Sequence, residues 1–190
     1  MGYDKILQNK EIDYCRQSMN LESEILKEHS KPQVKRIARW IGRDKNRFRQ
    51  LMNLFIDGDY RVTQRSAWIL SHCAESYPEL IYPWLKPIIK KMQEPGVHDA
   101  VKRNTLRILQ NIEIPTPLLG IIVSLCFDYL NSLDAPIAVK AYSMTVLLNI
   151  ARREPDLKHE LQLVIEQMLP YVGAALRARS RIILKELAKK

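Results

Sequence analysis

Glycine is scarce, with 6 in 190 residues, which argues against a sandwich or barrel, whose many tight turns draw on it. Cysteine is scarcer: Cys15, Cys73 and Cys126 are dispersed and odd in number, and no CxxC occurs. Neither a zinc site nor a thioredoxin-like pair is supported, and scattered thiols of this kind lead to the expectation of a reduced, cytoplasmic protein. No apolar run reaches the ~20 residues that a membrane helix needs. The start, from Met1 to Ile6, has neither the positive charge and apolar stretch of a secretion signal nor the hydroxyl residue of a myristoylation motif. There is no glycine-rich phosphate loop, no GxSxG and no HExxH. His29, His72, His98 and His159 are unrelated in spacing, and the adjacent His72 and Cys73 would face different sides of a helix. No catalytic residue, metal ligand or cofactor is therefore expected.

What is present is an ordinary globular composition, 46% hydrophobic and 27% charged, with enough length for a sizeable core. The balance of 30 Lys and Arg against 21 Asp and Glu gives a formal charge of +9. That excess favours anionic partners, such as nucleic acid or acidic protein. Nearly every long segment carries the i, i+3, i+4, i+7 apolar spacing of an amphipathic helix, and strand-like alternation is never sustained. Turn chemistry separates the segments at Asp57-Gly58-Asp59, Glu94-Pro95-Gly96, Ile114-Pro115-Thr116-Pro117, Leu133-Asp134-Ala135-Pro136 and Glu154-Pro155-Asp156.

The segments repeat. From Val62 the apolar or small positions run Ser66, Ala67, Leu70 and Cys73. The same offsets after Val101 give Thr105, Leu106, Leu109 and Ile112; after Val139 they give Ser143, Met144, Leu147 and Ile150. After Leu176 they give Ser180, Arg181, Leu184 and Leu187, and a poorer copy follows Val34 with Ala38, Arg39 and Gly42. Successive anchors lie 28, 39, 38 and 37 residues apart. A small residue at the fourth offset would let a paired helix approach closely, and offsets zero, eight and eleven share one buried stripe.

With a period in the high thirties built from two helices, the chain resembles the HEAT and armadillo superfamily. The segments from Val101 to Leu109 and from Val139 to Leu147 look like second helices of HEAT units, and Pro83 and Pro87 resemble the proline kink of first helices. The resemblance implies an all-α superhelix, or solenoid, of about five helical pairs. Residues 21–190 would form one repeat domain, with a capping helix or arm over residues 1–20.

The resemblance also implies that second helices line a concave face. At 100° per residue, offsets two, six, nine and ten point away from the buried stripe. They select Arg36, Trp40, Arg43 and Asp44, then Gln64, Trp68, Ser71 and His72, then Arg103, Arg107, Gln110 and Asn111. In the last two units the same offsets reach Ala141, Thr145, Leu148 and Asn149, and Ala178, Ile182, Lys185 and Glu186. The candidate binding set is Arg36, Trp40, Arg43, Gln64, Trp68, His72, Arg103, Arg107 and Asn111: arginines for anions, two tryptophans for stacking, and amides. Packing of the tryptophans between helices is the competing reading. The densest charge lies from Lys31 to Arg49, a net +7 against which only Asp44 counts, with Glu22, Glu24 and Glu28 just upstream. A second basic cluster, from Arg177 to Lys190, closes the chain.

The expected function is a non-enzymatic binding or scaffold module for an anionic partner, either an acidic protein segment or nucleic acid, with no membrane involvement. The alternative is a DNA-repair glycosylase of the HEAT-like alkylation-repair type, whose resemblance implies concave tryptophans and an acidic residue. Asp44 is the nearest acid by offset, and no motif carries a catalytic role onto it.

Overall fold

Helix starts follow from local capping chemistry. The Asn20 side chain accepts from the N–H of Ser23 at 3.0 Å and begins α1 (Leu21–Lys27). Ser30 does the same for Gln33 and begins α2 (Lys31–Ile41), with Pro32 in the first turn, where its missing N–H has no helical acceptor to serve. Asp44 accepts from Asn46 and Arg47 at 2.8 and 3.1 Å and opens α3 (Lys45–Asp57). Between α2 and α3 the chain reverses at Gly42, whose φ of 51° lies in the left-handed region that favours glycine.

The computed structural model describes residues 19–189, and these divide into two compact units, one ending at Trp84 and the other beginning at Leu85. The expected arm over residues 1–20, Cys15 included, falls outside the described residues except for its last two positions. The first unit continues with α4 (Tyr60–Ser76); the second holds α5 (Leu85–Met92), α6 (Asp99–Leu109), α7 (Thr116–Asn131), α8 (Ile137–Ala151), α9 (Leu157–Met168) and α10 (Ala174–Leu187). Among the described residues there is no strand. The helices pair as α1 with α2 and α3 with α4 in the first unit, then α5 with α6, α7 with α8 and α9 with α10 in the second. Each turn signal of the sequence falls at a junction of two helices, with Asp57 closing α3 and Thr116 and Pro117 opening α7.

One expectation is corrected. The segment from Leu80 to Met92 is not a single kinked helix. Pro78–Leu80 and Tyr82–Trp84 are 3-10 turns, and the α-helix starts only at Leu85. An internal proline removes an N–H and clashes with the carbonyl four residues back, so Pro83 stays outside the α-helix. Pro87 is tolerated as the third residue of α5, where the N–H would be unbonded in any case.

The repeated stripe is the core. Val34, Val62, Val101, Val139 and Leu176 are all buried, as are Ser66, Thr105, Ser143 and Ser180 at the fourth offset. At this offset Ser66 is fully buried, and its hydroxyl has no hydrogen-bond partner. The fifth offset fails at both ends of the series, where Arg39 and Arg181 are exposed, and Gly42, Leu184 and Ile112 at offsets eight and eleven are only half-buried. A further row carries the packing through every pair: Ile41, Ile69, Ile108, Val146 and Ile183, seven residues past each anchor, are buried without exception. Each such side chain contributes about 1.5–3 kcal/mol on burial. Two helices are central: α4 packs on α1, α2 and α3, and α8 packs on α6, α7, α9 and α10. Hydrogen bonds one repeat apart tie successive pairs together. Arg65 Nη1 donates to the carbonyls of Ile25 and Leu26 at the end of α1, at 3.1 and 2.7 Å. Asn149 Nδ2 donates to Gln110 O at 2.8 Å and Arg153 Nη1 to Ile114 O at 3.0 Å.

Candidate functional site

In the first unit the candidate residues are partnered rather than bare. Arg36 pairs with the Glu24 carboxylate, and its Nε donates to Gln33 Oε1 at 3.1 Å. The hydrogen bond from Gln33 Nε2, at 3.0 Å, does most to hold Glu24 below the usual carboxylate range, with Arg36 and Lys27 adding their charge. The acidic stretch upstream thus compensates the basic run at one point. Trp40 carries the Arg47 guanidinium over its ring, 4.5 Å from the centroid, while Arg47 Nη1 donates to Trp40 O at 2.7 Å. Asp44 lies 3.5 Å from Arg47; the backbone N–H groups of Arg47 and Asn46 hold its carboxyl below the ordinary range. Arg43 is largely exposed, with its side chain at 79%, 3.8 Å from Glu79 and 5.3 Å from the Tyr77 ring centroid.

On α4 the same face carries Gln64, Trp68 and His72, all half-buried. His29 meets the Trp68 ring edge-on at 5.2 Å, and His72 lies on it at 6.3 Å, tilted. His72 Nδ1 is 3.3 Å from the Glu75 carboxylate. Ser71, expected to point outward, is buried instead, and its hydroxyl donates to Trp68 O at 2.8 Å. Leu148, at the same offset of α8, is buried too. Offset nine is the shoulder of the stripe, and a central helix with neighbours on several sides covers it.

In the second unit Arg103 is exposed and Arg107 half-buried, while Asn111 Nδ2 donates back to Arg107 O at 3.0 Å. Spaced four apart, the three share one face of α6 and its C-terminal end. The other outward positions of α8 are half-buried and engaged: Thr145 Oγ1 donates to Ala141 O at 3.0 Å and accepts from Arg179.

The least compensated charge lies beside the expected positions, not on them. Lys31, Lys35 and Arg39 are exposed at spacings of four, and none makes an ion pair among the described residues. Geometry puts Arg39 at the middle of the solvent arc of α2, with Arg36 and Trp40 on its flank. Lys45 and Arg49 repeat the pattern on α3. Like charges at i, i+4 repel, so the arc carries an electrostatic cost that no neighbouring acid among the described residues relieves. The other unforeseen member is His29, which the fold brings against Trp68 from outside the repeat register.

The described residues hold no group of three His, Cys, Asp or Glu placed for a metal ion. Cys73 and Cys126 are free and buried, and burial pushes both thiols up to about 12. Among the described residues no helix is long and apolar enough to cross a membrane.

The family model of the HEAT repeat domain matches residues 11–187. The chain belongs to that family. No curated protein and no solved structure matches it. HEAT repeats as a class act as protein-interaction scaffolds, and nothing in a repeat fold by itself implies catalysis.

Proposed function

We propose that this HEAT repeat chain is a non-enzymatic scaffold whose first unit binds an acidic segment of a partner protein. The observation that carries the reading is the arc of Lys31, Lys35 and Arg39 on α2, exposed and without ion pairs among the described residues. Arg36, Trp40 and Arg43 flank that arc, and Gln64, Trp68 and His72 on the packed α4 supply aromatic and hydrogen-bonding surface. Arg103, Arg107 and Asn111 form a separate basic and amide face on α6. Protein is favoured over single-stranded nucleic acid because both tryptophans are engaged: Arg47 covers one face of Trp40, and His29 and His72 lie against Trp68. A base stacking there would have to displace them. The repair-glycosylase alternative finds no support in Asp44, which caps α3, or in Glu75, which sits with His72.

Fluorescence anisotropy tests the reading, with a labelled Asp/Glu-rich peptide and labelled single- and double-stranded DNA of matched charge, each at low and moderate salt. The peptide is expected to bind the full chain, and Trp68→Ala is expected to weaken it. DNA binding that is tighter and falls steeply and linearly in log salt would mean phosphate recognition instead, and base release from alkylated DNA would then be assayed. An unchanged affinity in Trp68→Ala would remove α4 from the site.

A further inference from the structure

The second unit contains a cleft of about 250 Å³ where the ends of α8 and α10 meet the start of α9. Ligand pockets for whole cofactors run from about 300 to 1,000 Å³, so this one suits a side chain or two. Buried Leu148 and Leu187 supply an apolar floor, while Arg152, Lys158, Lys189 and Glu186 form the walls. Three cations therefore face one carboxylate. Glu186 lies 3.6 Å from Arg152 and also pairs with Lys189, and the hydrogen bond from Lys189 chiefly holds its carboxyl below the ordinary range.

Two of the cations have a structural reason to be there. Arg152 follows α8 and Lys189 follows α10, and helix C-termini favour positive charge. Lys158 does not fit that account. It is the second residue of α9, at the end of the helix that disfavours a cation. It is half-buried, and its ammonium makes neither an ion pair nor a hydrogen bond among the described residues. A partly desolvated charge with no partner is unfavourable until an anion arrives.

We propose that this cleft is a second docking point, receiving a carboxylate side chain of a partner protein on Lys158 while an adjacent apolar side chain rests on Leu148 and Leu187. The guest carboxylate completes the alternation of charge that Glu186 begins. The choice of protein over another anion rests on the scaffold reading above; the site itself shares no residue with the α2 arc or α4.

The test uses the full chain and a fluorescent, N-acetylated peptide of alternating Asp and Leu. Zero-length carbodiimide coupling followed by peptide mapping reads which lysine amines meet the peptide carboxylates. The expected result is an amide adduct on Lys158 that competes with excess unlabelled peptide. Lys158→Glu is expected to weaken the peptide's anisotropy-measured affinity about tenfold or more, and Lys158→Met, which keeps the apolar stem, to weaken it less. Lys35→Glu/Arg39→Glu is expected to leave the Lys158 adduct unchanged, so loss of the α2 site and loss of this one are distinguishable. Adducts confined to other lysines, or unchanged affinity in both Lys158 variants with normal thermal unfolding, would overturn the proposal. Protection of Lys158 by inorganic phosphate as strong as that by the peptide would overturn the peptide as its occupant.

Discussion

Helices α4 and α8 each stand at the middle of their unit and bury the same row, Val62, Ser66, Leu70 and Cys73 in one, Val139, Ser143, Leu147 and Ile150 in the other. Their outward faces differ in chemistry. Outward positions of α4 hold Gln64, Trp68 and His72, against Ala141, Thr145 and Asn149 on α8. Thr145 bonds its own helix and Arg179, and Asn149 bonds the end of α6, whereas Trp68 and His72 gather titratable and aromatic neighbours. The buried row is what stacking helical pairs demands, so it recurs. The opposite face is free of that demand, and there one repeat differs from the next.

If the two central helices are equivalent inside, their thiol environments should match. Cys73 on α4 and Cys126 beneath α8 both have thiols pushed to about 12 from 9, which leaves roughly a thousandfold less thiolate. In a Cys15→Ser background, Ellman's reagent is expected to label neither at neutral pH until the chain unfolds. Fast labelling of one alone would break the equivalence.

Truncation of the row comes next in size. Leu70→Ala and Leu147→Ala are each expected to cost about 2–5 kcal/mol in urea unfolding, and a large disparity would mean that one helix is less central than its burial says. Gly58, between α3 and α4, sharpens the contrast. A Cβ there would overlap Leu54 O and come within 2.8 Å of Val62 Cγ1, so Gly58→Ala should lose about 1–3 kcal/mol by overpacking. Ser66→Ala moves the other way, since it removes a buried hydroxyl without a partner; a gain of up to about 1 kcal/mol is expected.

Acid sensitivity is the smallest effect, carried by Glu24 and Asp44 in the first unit and by Glu186 in the second. Glu24 and Asp44 have folded pKa values below their unfolded ones. Their contribution is therefore complete above the ordinary carboxylate pKa and is lost as pH falls through the folded value. Asp44→Ala is expected to cost about 1 kcal/mol at neutral pH through the lost cap, and less at pH 3. A cost independent of pH would show that the carboxylate charge is irrelevant to the cap.

The architecture was legible because a buried row repeats with helical period: Ser66, Thr105, Ser143 and Ser180 could be lined up by counting. The row from Ile41 to Ile183 has the same spacing and is equally countable in the sequence. The prolines misled, since likeness to a kinked helix outweighed the plain reading that Pro83 ends one. The site was read less well. Offsets predict direction but not partners, so they could not show that Glu24 answers Arg36 or that Arg47 covers Trp40. His29 lies 39 residues from Trp68, and only the fold brings the two together.

The most direct test of the division between a stacking row and a binding face is one double variant, Lys35→Glu/Arg39→Glu, measured for both stability and binding. The account expects an unfolding midpoint within a few degrees of the unmodified chain and a loss of about tenfold or more in affinity for a labelled acidic peptide. Undiminished affinity in the folded variant would contradict it, and the α2 arc would then be only a solvated surface.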